Sequence, residues 1–145
     1  MAIDRQGNGL VIVRICLGVF LVAAGASKLR WLIDTSMLSR LLGEWMQGAA
    51  PGSISRLYLE RFAIPGTAVL ARLIPLGEIS CGLALLIGVW TPIFAFLAFF
   101  MALNTDVANG TIFTIGFVTH GYGLLVLGST LGLTLGGVRL PWSLR

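Results

Sequence analysis

Few side chains in this chain are of a type that could do chemistry, and the most conspicuous is Glu78. It stands inside the apolar run from Ile64 to Trp90, IPGTAVLARLIPLGEISCGLALLIGVW, with Arg72 and Pro75 before it. A charge near the centre of a bilayer costs at least ~2.5–3.5 kcal/mol on insertion scales, so such a group is by default a candidate functional site. An isolated buried carboxylate is either protonated or paired. Three partners are in reach on sequence grounds: Arg14 in the first apolar run, Arg72 six residues earlier, and His120, the only histidine. Six residues rotate about 240° around a helix, so Arg72 and Glu78 share a face only if Pro75 bends the segment. Arg14, Arg72, Glu78 and His120 form the expected intramembrane polar site, and Lys28, Asn104 and Asp106 form a second tier near the span ends. The competing reading is structural, since buried ion pairs also fix helix register or mark a subunit contact.

Other chemistries find little support. With one histidine, and no cysteine or carboxylate at ligand spacing beside it, no protein metal site is expected. His120, between Thr119 and Gly121, reads as a hydrogen-bonded packing residue. Cys16 and Cys81 fall at matching depths in the first two runs, which makes a disulfide geometrically conceivable. They form no Cys-x-x-Cys motif, however, and buried lone cysteines ordinarily act as small apolar residues. No nucleophile triad, P-loop or dinucleotide fingerprint is present.

The elements that must position these groups are membrane spans. The chain is 57% hydrophobic and 11% charged, with a mean hydropathy of +0.93, against about 25% charged in soluble domains. A span needs roughly 20 apolar residues. Four runs qualify, at about 9–29, 64–90, 92–107 and 111–135, which predicts an all-α transmembrane four-helix bundle, one domain over 1–145, with both termini on one side. The first run, with Ala24-Gly25-Ala26 near its end, superficially resembles a signal peptide. Arg14 inside its apolar stretch argues for a retained helix instead. Gly18 and Gly25, seven residues apart, share a face that permits close packing. Lys28 and Arg30 at its end are placed to snorkel to the headgroups.

Residues 30–62 form a long amphipathic, partly helical connection between the first two spans. Over Met37–Gln47 the apolar face is Met37, Leu38, Leu41, Leu42 and Trp45. Ala49-Ala50-Pro51-Gly52 breaks that helix, and Ser53 caps a second one. There Ile54, Leu57, Tyr58 and Phe62 make the stripe, with Arg56, Glu60 and Arg61 toward water. Such helices ordinarily lie in the membrane interface; a lid over a cavity between the spans, or a docking surface for a partner protein, are the alternatives. Trp90-Thr91-Pro92 is a tight link into the third, Phe-rich span, Pro92 suiting its first turn. Asn109-Gly110 marks the next turn.

The net charge of +4 is small and scattered. It suits anionic lipid headgroups, and no basic run or stacking-aromatic stripe points to nucleic acid. Lys28, Arg30, Arg40, Arg56 and Arg61 outnumber Arg5, Arg139 and Arg145 on the termini side, which favours the 30–62 segment in the cytoplasm.

Two motifs carry a resemblance. The first run contains Arg14-x-x-x-Gly18 and Gly25-x-x-Lys28-Leu29. The second contains Gly77-Glu78-x-x-x-Gly82-Leu83-Ala84-Leu85-Leu86-x-Gly88. The chain resembles the DoxX/DoxD group of small four-helix bacterial and archaeal membrane proteins, and the long first connection is similar to that of the DoxD-like branch. The resemblance covers most of the chain. It departs at Thr91-Pro92, where many relatives place Thr-Arg, and at Gly137-Val138-Arg139, where the group ends on a Ser-Leu-Asp-like sequence. The resemblance implies a cell (inner) membrane location and a subunit of a thiosulfate:quinone oxidoreductase-like complex. It brings no catalytic set: Arg14, Lys28 and Glu78 are motif positions only.

Three functions follow as expectations. The first is the membrane subunit of a quinone-linked redox complex, with quinone or another small apolar ligand held noncovalently near Glu78, His120 and Arg72. The second is a non-catalytic anchor or assembly protein for a partner subunit. The third is a small-solute carrier, which with so few helices calls for a homo-oligomer.

Overall fold

The structure is a computed structural model and describes residues 5–119 and 123–140. It is all-α, without a strand among the described residues. The elements are α1 (Arg5–Ser27), α2 (Ser36–Gly48), α3 (Ile54–Tyr58), α4 (Thr67–Ile87), α5 (Thr91–Ala108), α6 (Gly116–Thr119) and α7 (Leu124–Gly136), joined by short 3₁₀ and π turns. Among the described residues, three stretches are long and apolar enough to cross a membrane: Gly7–Ser27, Thr67–Ile87 and Thr91–Ala108. Large apolar side chains such as Ile12, Val19, Leu73, Leu83, Ile93 and Phe100 remain exposed around the outside. That pattern is inverted relative to a water-soluble domain and fits lipid as the solvent. The protein is an integral membrane protein, a helical bundle of α1, α4, α5 and α7.

The fourth wall departs from the expected continuous span over 111–135. Gly110 turns left-handed at φ 76° and Thr114 is extended. Among the described residues between α5 and α7 there are a 3₁₀ turn and the single-turn α6. At 13 residues, α7 reaches about 20 Å, short of the ~30 Å hydrocarbon core. Glycine and threonine let that run break where uniform leucine would have continued it.

α1 packs along α4, and α5 along α7 and α4. Glycines set the closeness of the first pair. A Cβ added at Gly82 would lie 2.8 Å from the Gly18 carbonyl oxygen and 2.8 Å from the Val22 nitrogen. One added at Gly25 would lie 2.8 Å from the Pro75 carbonyl oxygen. The two backbones therefore touch along the expected small-residue face, the usual way membrane helices gain dispersion contacts. Leu17, Leu21, Cys81, Leu85, Ala95, Ala98 and Leu133 fill the centre of the bundle. The α4–α5 link turns on Gly88 (φ 80°) and on Trp90, whose φ of 42° is unusual for a residue with a side chain.

The 30–62 connection folds back over one end of the bundle. Leu38 and Leu42 of α2 join Leu59, Ala63, Ala71 and Ala108 in a second core, while Met37, expected on that face, is 40% exposed. After Tyr58 the helix widens into a π turn, Leu59–Ala63. The face turned inward is Ser55, Leu59 and Ala63. The expected stripe of Ile54, Leu57 and Phe62 points away from the protein. Tyr58, the fourth member of that stripe, packs against the second core; the inward face is set by the i, i+4 row Ser55, Leu59 and Ala63, one residue round from the expected one. The connection thus has two apolar sides, one capping the bundle and one free for lipid.

Ser53 accepts a hydrogen bond from the Arg56 backbone N–H at 3.2 Å, as an N-cap does. Ser53→Ala is expected to cost about 1 kcal/mol, read as a lower midpoint of thermal unfolding in detergent, with Ser53→Thr retaining most of the wild-type value.

A candidate ligand site between the helices

Because α1 and α5 sit on opposite corners of the bundle, a space is left between them. It is a cavity of about 580 Å³, within the roughly 300–1,000 Å³ common for small-molecule sites. Its deep wall is apolar, with Phe20, Leu21, Ala98, Met101 and Val126. Its other end is polar, with Ser27 and Lys28 from the end of α1, Glu78 from mid-α4, and Thr105, Asp106 and Asn109 from the end of α5.

Glu78 lies level with Gly25, whose missing side chain lets α1 rest against Pro75 and Ile79. One turn further on, Lys28 leaves α1 and turns back toward α4. Its ammonium meets Glu78 Oε1 at 2.5 Å, with the lysine side chain 26% and the glutamate side chain 11% exposed. Lys28 Nζ also stands 5.9 Å from the Trp31 ring centroid, a cation–π contact that holds the ammonium from the other side. Glu78 Oε2 is buried and accepts no hydrogen bond among the described residues. Asp106, 7% exposed, accepts from the Thr111 hydroxyl at 3.1 Å. The same hydroxyl donates to Asn109 Oδ1 at 2.6 Å.

A smaller cavity of about 170 Å³ lies beneath α2, lined by Trp31, Leu42, Trp45, Tyr58 and Asn104, and it shares Lys28 and Thr105 with the large one. Asn104 does not face the large cavity; it accepts a hydrogen bond from the Tyr58 hydroxyl. Burial pushes the Tyr58 phenol above its ordinary value, with the Asn104 contact opposing in part. This bond ties the connection to α5.

Of the three described residues expected in the intramembrane polar site, Arg14, Arg72 and Glu78, only Glu78 lines this cavity. Arg72 is exposed on the outside of α4, with one guanidinium nitrogen donating to the Ala68 carbonyl at 2.9 Å. Pro75 does not bring it round to Glu78, and the long side chain covers its own helix instead. Arg14 is buried, at 2% exposure, but eleven residues, or about 16 Å, up α1 from the level of Glu78. His120 lies outside the described residues. The second tier supplies what the first does not, since Lys28 and Asp106 both line the cavity. Ser27, Thr105 and Asn109 were missed. For Lys28 the available signal was spacing: Gly25 and Lys28, three apart, put a close helix contact and a cation within one turn of each other. Lysine at a span end ordinarily snorkels outward, but here the 29–66 segment covers that end and the carboxylate lies within reach. Both cysteines are free thiols, Cys16 exposed and Cys81 buried.

The family model for DoxX matches residues 9–109. The chain belongs to the DoxX family. The match runs from α1 through the end of α5, so Lys28, Glu78, Asp106 and Asn109 all fall in the part this DoxX protein shares with its family. The α6–α7 wall falls beyond it. No curated protein and no solved structure matches the chain.

Proposed function

We propose that this DoxX protein is the membrane subunit of a quinone-linked redox complex in a bacterial or archaeal cell membrane, and that the α1–α5 cavity receives the quinone ring. The observation that carries this reading is the Lys28–Glu78 pair at the polar end of an otherwise apolar space. A quinone needs an apolar slot for its ring and a hydrogen-bonding contact for each oxygen. It also needs groups that exchange protons, because two-electron reduction of a quinone to a quinol takes up two protons. Lys28 can donate to a carbonyl oxygen, while Glu78 and Asp106 can take or return protons. The electrons come from a reduced sulfur compound oxidised on a partner subunit, which docks on the exposed surface of the 29–66 segment.

The test is direct binding. Purified protein in nanodiscs is titrated with a short-chain ubiquinone analogue, and Glu78→Gln is expected to weaken binding at least tenfold. The amide carries no charge and exchanges no proton, so its contact with the ammonium weakens to an ordinary hydrogen bond and the site loses its carboxylate. Equal affinity in the variant, with an unchanged fold by circular dichroism, removes the reading.

A further inference from the structure

We infer that the cavity is a site for the reduced, hydroxyl-bearing form of its ligand, and that Asp106 is the residue that selects it. This rests on the quinone reading above and adds a direction to it. The polar end of the cavity carries an excess of negative charge, two carboxylates to one ammonium. The Ser27 hydroxyl is already committed to the Ala24 carbonyl at 2.7 Å and the Thr105 hydroxyl to the Met101 carbonyl at 3.1 Å. Their oxygens have only lone pairs left to offer. Glu78 Oε2 is buried with no donor on it among the described residues, and Asp106 adds a second carboxylate in the same wall. Against these stand the Lys28 ammonium, whose charge is shared with Glu78 through one of its three N–H groups, and the Asn109 amide. Two carboxylates thus face one cation.

A quinol brings two O–H donors to such a wall, whereas a quinone brings only acceptors. Carboxylates that gain a donor are stabilised, and those forced against a carbonyl oxygen are left dry and unpaired. A site built around one kind of hydrogen bond rejects the analogue lacking it far more strongly than an apolar pocket can. Asp106 is the discriminating residue because Glu78 is shared with Lys28, while Asp106 takes only the neutral Thr111 hydroxyl among the hydrogen bonds described.

The full-length protein in nanodiscs is titrated anaerobically with duroquinone and separately with duroquinol. The quinol is expected to bind at least tenfold more tightly, which for a two-electron couple raises the midpoint potential of the bound pair by about 30 mV. Asp106→Asn, which exchanges an acceptor oxygen for an N–H donor, is expected to bring the ratio toward one. Equal affinities in the wild type, or tighter quinone binding, overturn the selectivity and leave the quinone reading standing. Binding of neither form overturns both. A preference that stays tenfold in a folded Asp106→Asn overturns the role of Asp106, and should that variant not fold, Asp106→Ser serves for the same comparison.

Discussion

Replacing Lys28 with methionine is expected to lower the unfolding free energy by about 2–4 kcal/mol. Methionine keeps most of the aliphatic length, so little packing is lost; what disappears is the cation 2.5 Å from Glu78. Breaking a buried pair from one side ordinarily costs ~3–5 kcal/mol because the remaining charge has no compensation. The lower end applies here, since the lysine side chain keeps 26% of its exposure. The loss should appear as a lower midpoint in detergent thermal unfolding. It should be largely recovered in the double variant Lys28→Met with Glu78→Leu, where neither charge remains. A double variant no more stable than Lys28→Met would mean that packing, and not charge, explains the loss. The same pair explains how a carboxylate can sit halfway along a spanning helix: its counter-charge arrives from the end of the neighbouring helix, folded inward under the cap formed by α2.

Gly82→Val is expected to be more damaging. A Cβ alone would meet the Gly18 carbonyl oxygen and the Val22 nitrogen at 2.8 Å, and neither is a side chain that can move aside. Overpacking ordinarily costs ~1–3 kcal/mol. With backbone on the opposing side and two extra methyl groups, at least ~3 kcal/mol is expected, together with separation of α1 from α4. Size-exclusion elution and thermal unfolding would show a destabilised or aggregated product. Gly43→Ala, where an added Cβ meets nothing within 4 Å, is the matched control and should be neutral or slightly stabilising by helix propensity. An intact, wild-type-like Gly82→Val protein would refute the close α1–α4 contact. The consequence for function is direct. Lys28 reaches Glu78 only because α1 rests against α4 at Gly18, Gly25 and Gly82, so separating the helices also opens the ion pair.

Two groups of residues divide what was legible in the chain from what was not. Hydropathy and length alone determined the class, because burying backbone in lipid leaves helices as the economical solution for runs such as 9–29 and 92–107. The small-residue face of α1, the Ser53 cap and the importance of Glu78 were readable for the same kind of reason: each depends on neighbours within a few residues. The identity of Glu78's partner was not. Arg72, closer in sequence, lies outside because Pro75 does not carry its face round. Arg14 is about 16 Å too far along its helix. Lys28, 50 residues away, is brought to the carboxylate by glycine-mediated contact and by a covering segment that closes over that end of the bundle. The fourth wall shows the same division. Its apolar composition and the turn at Asn109-Gly110 were plain, but its break at Thr114 and Gly123 follows from backbone conformation that hydropathy does not report. Composition determined that polar atoms must be sheltered; tertiary packing decided which ones meet, because a contact between helices depends on depth and rotation together, and neither is local.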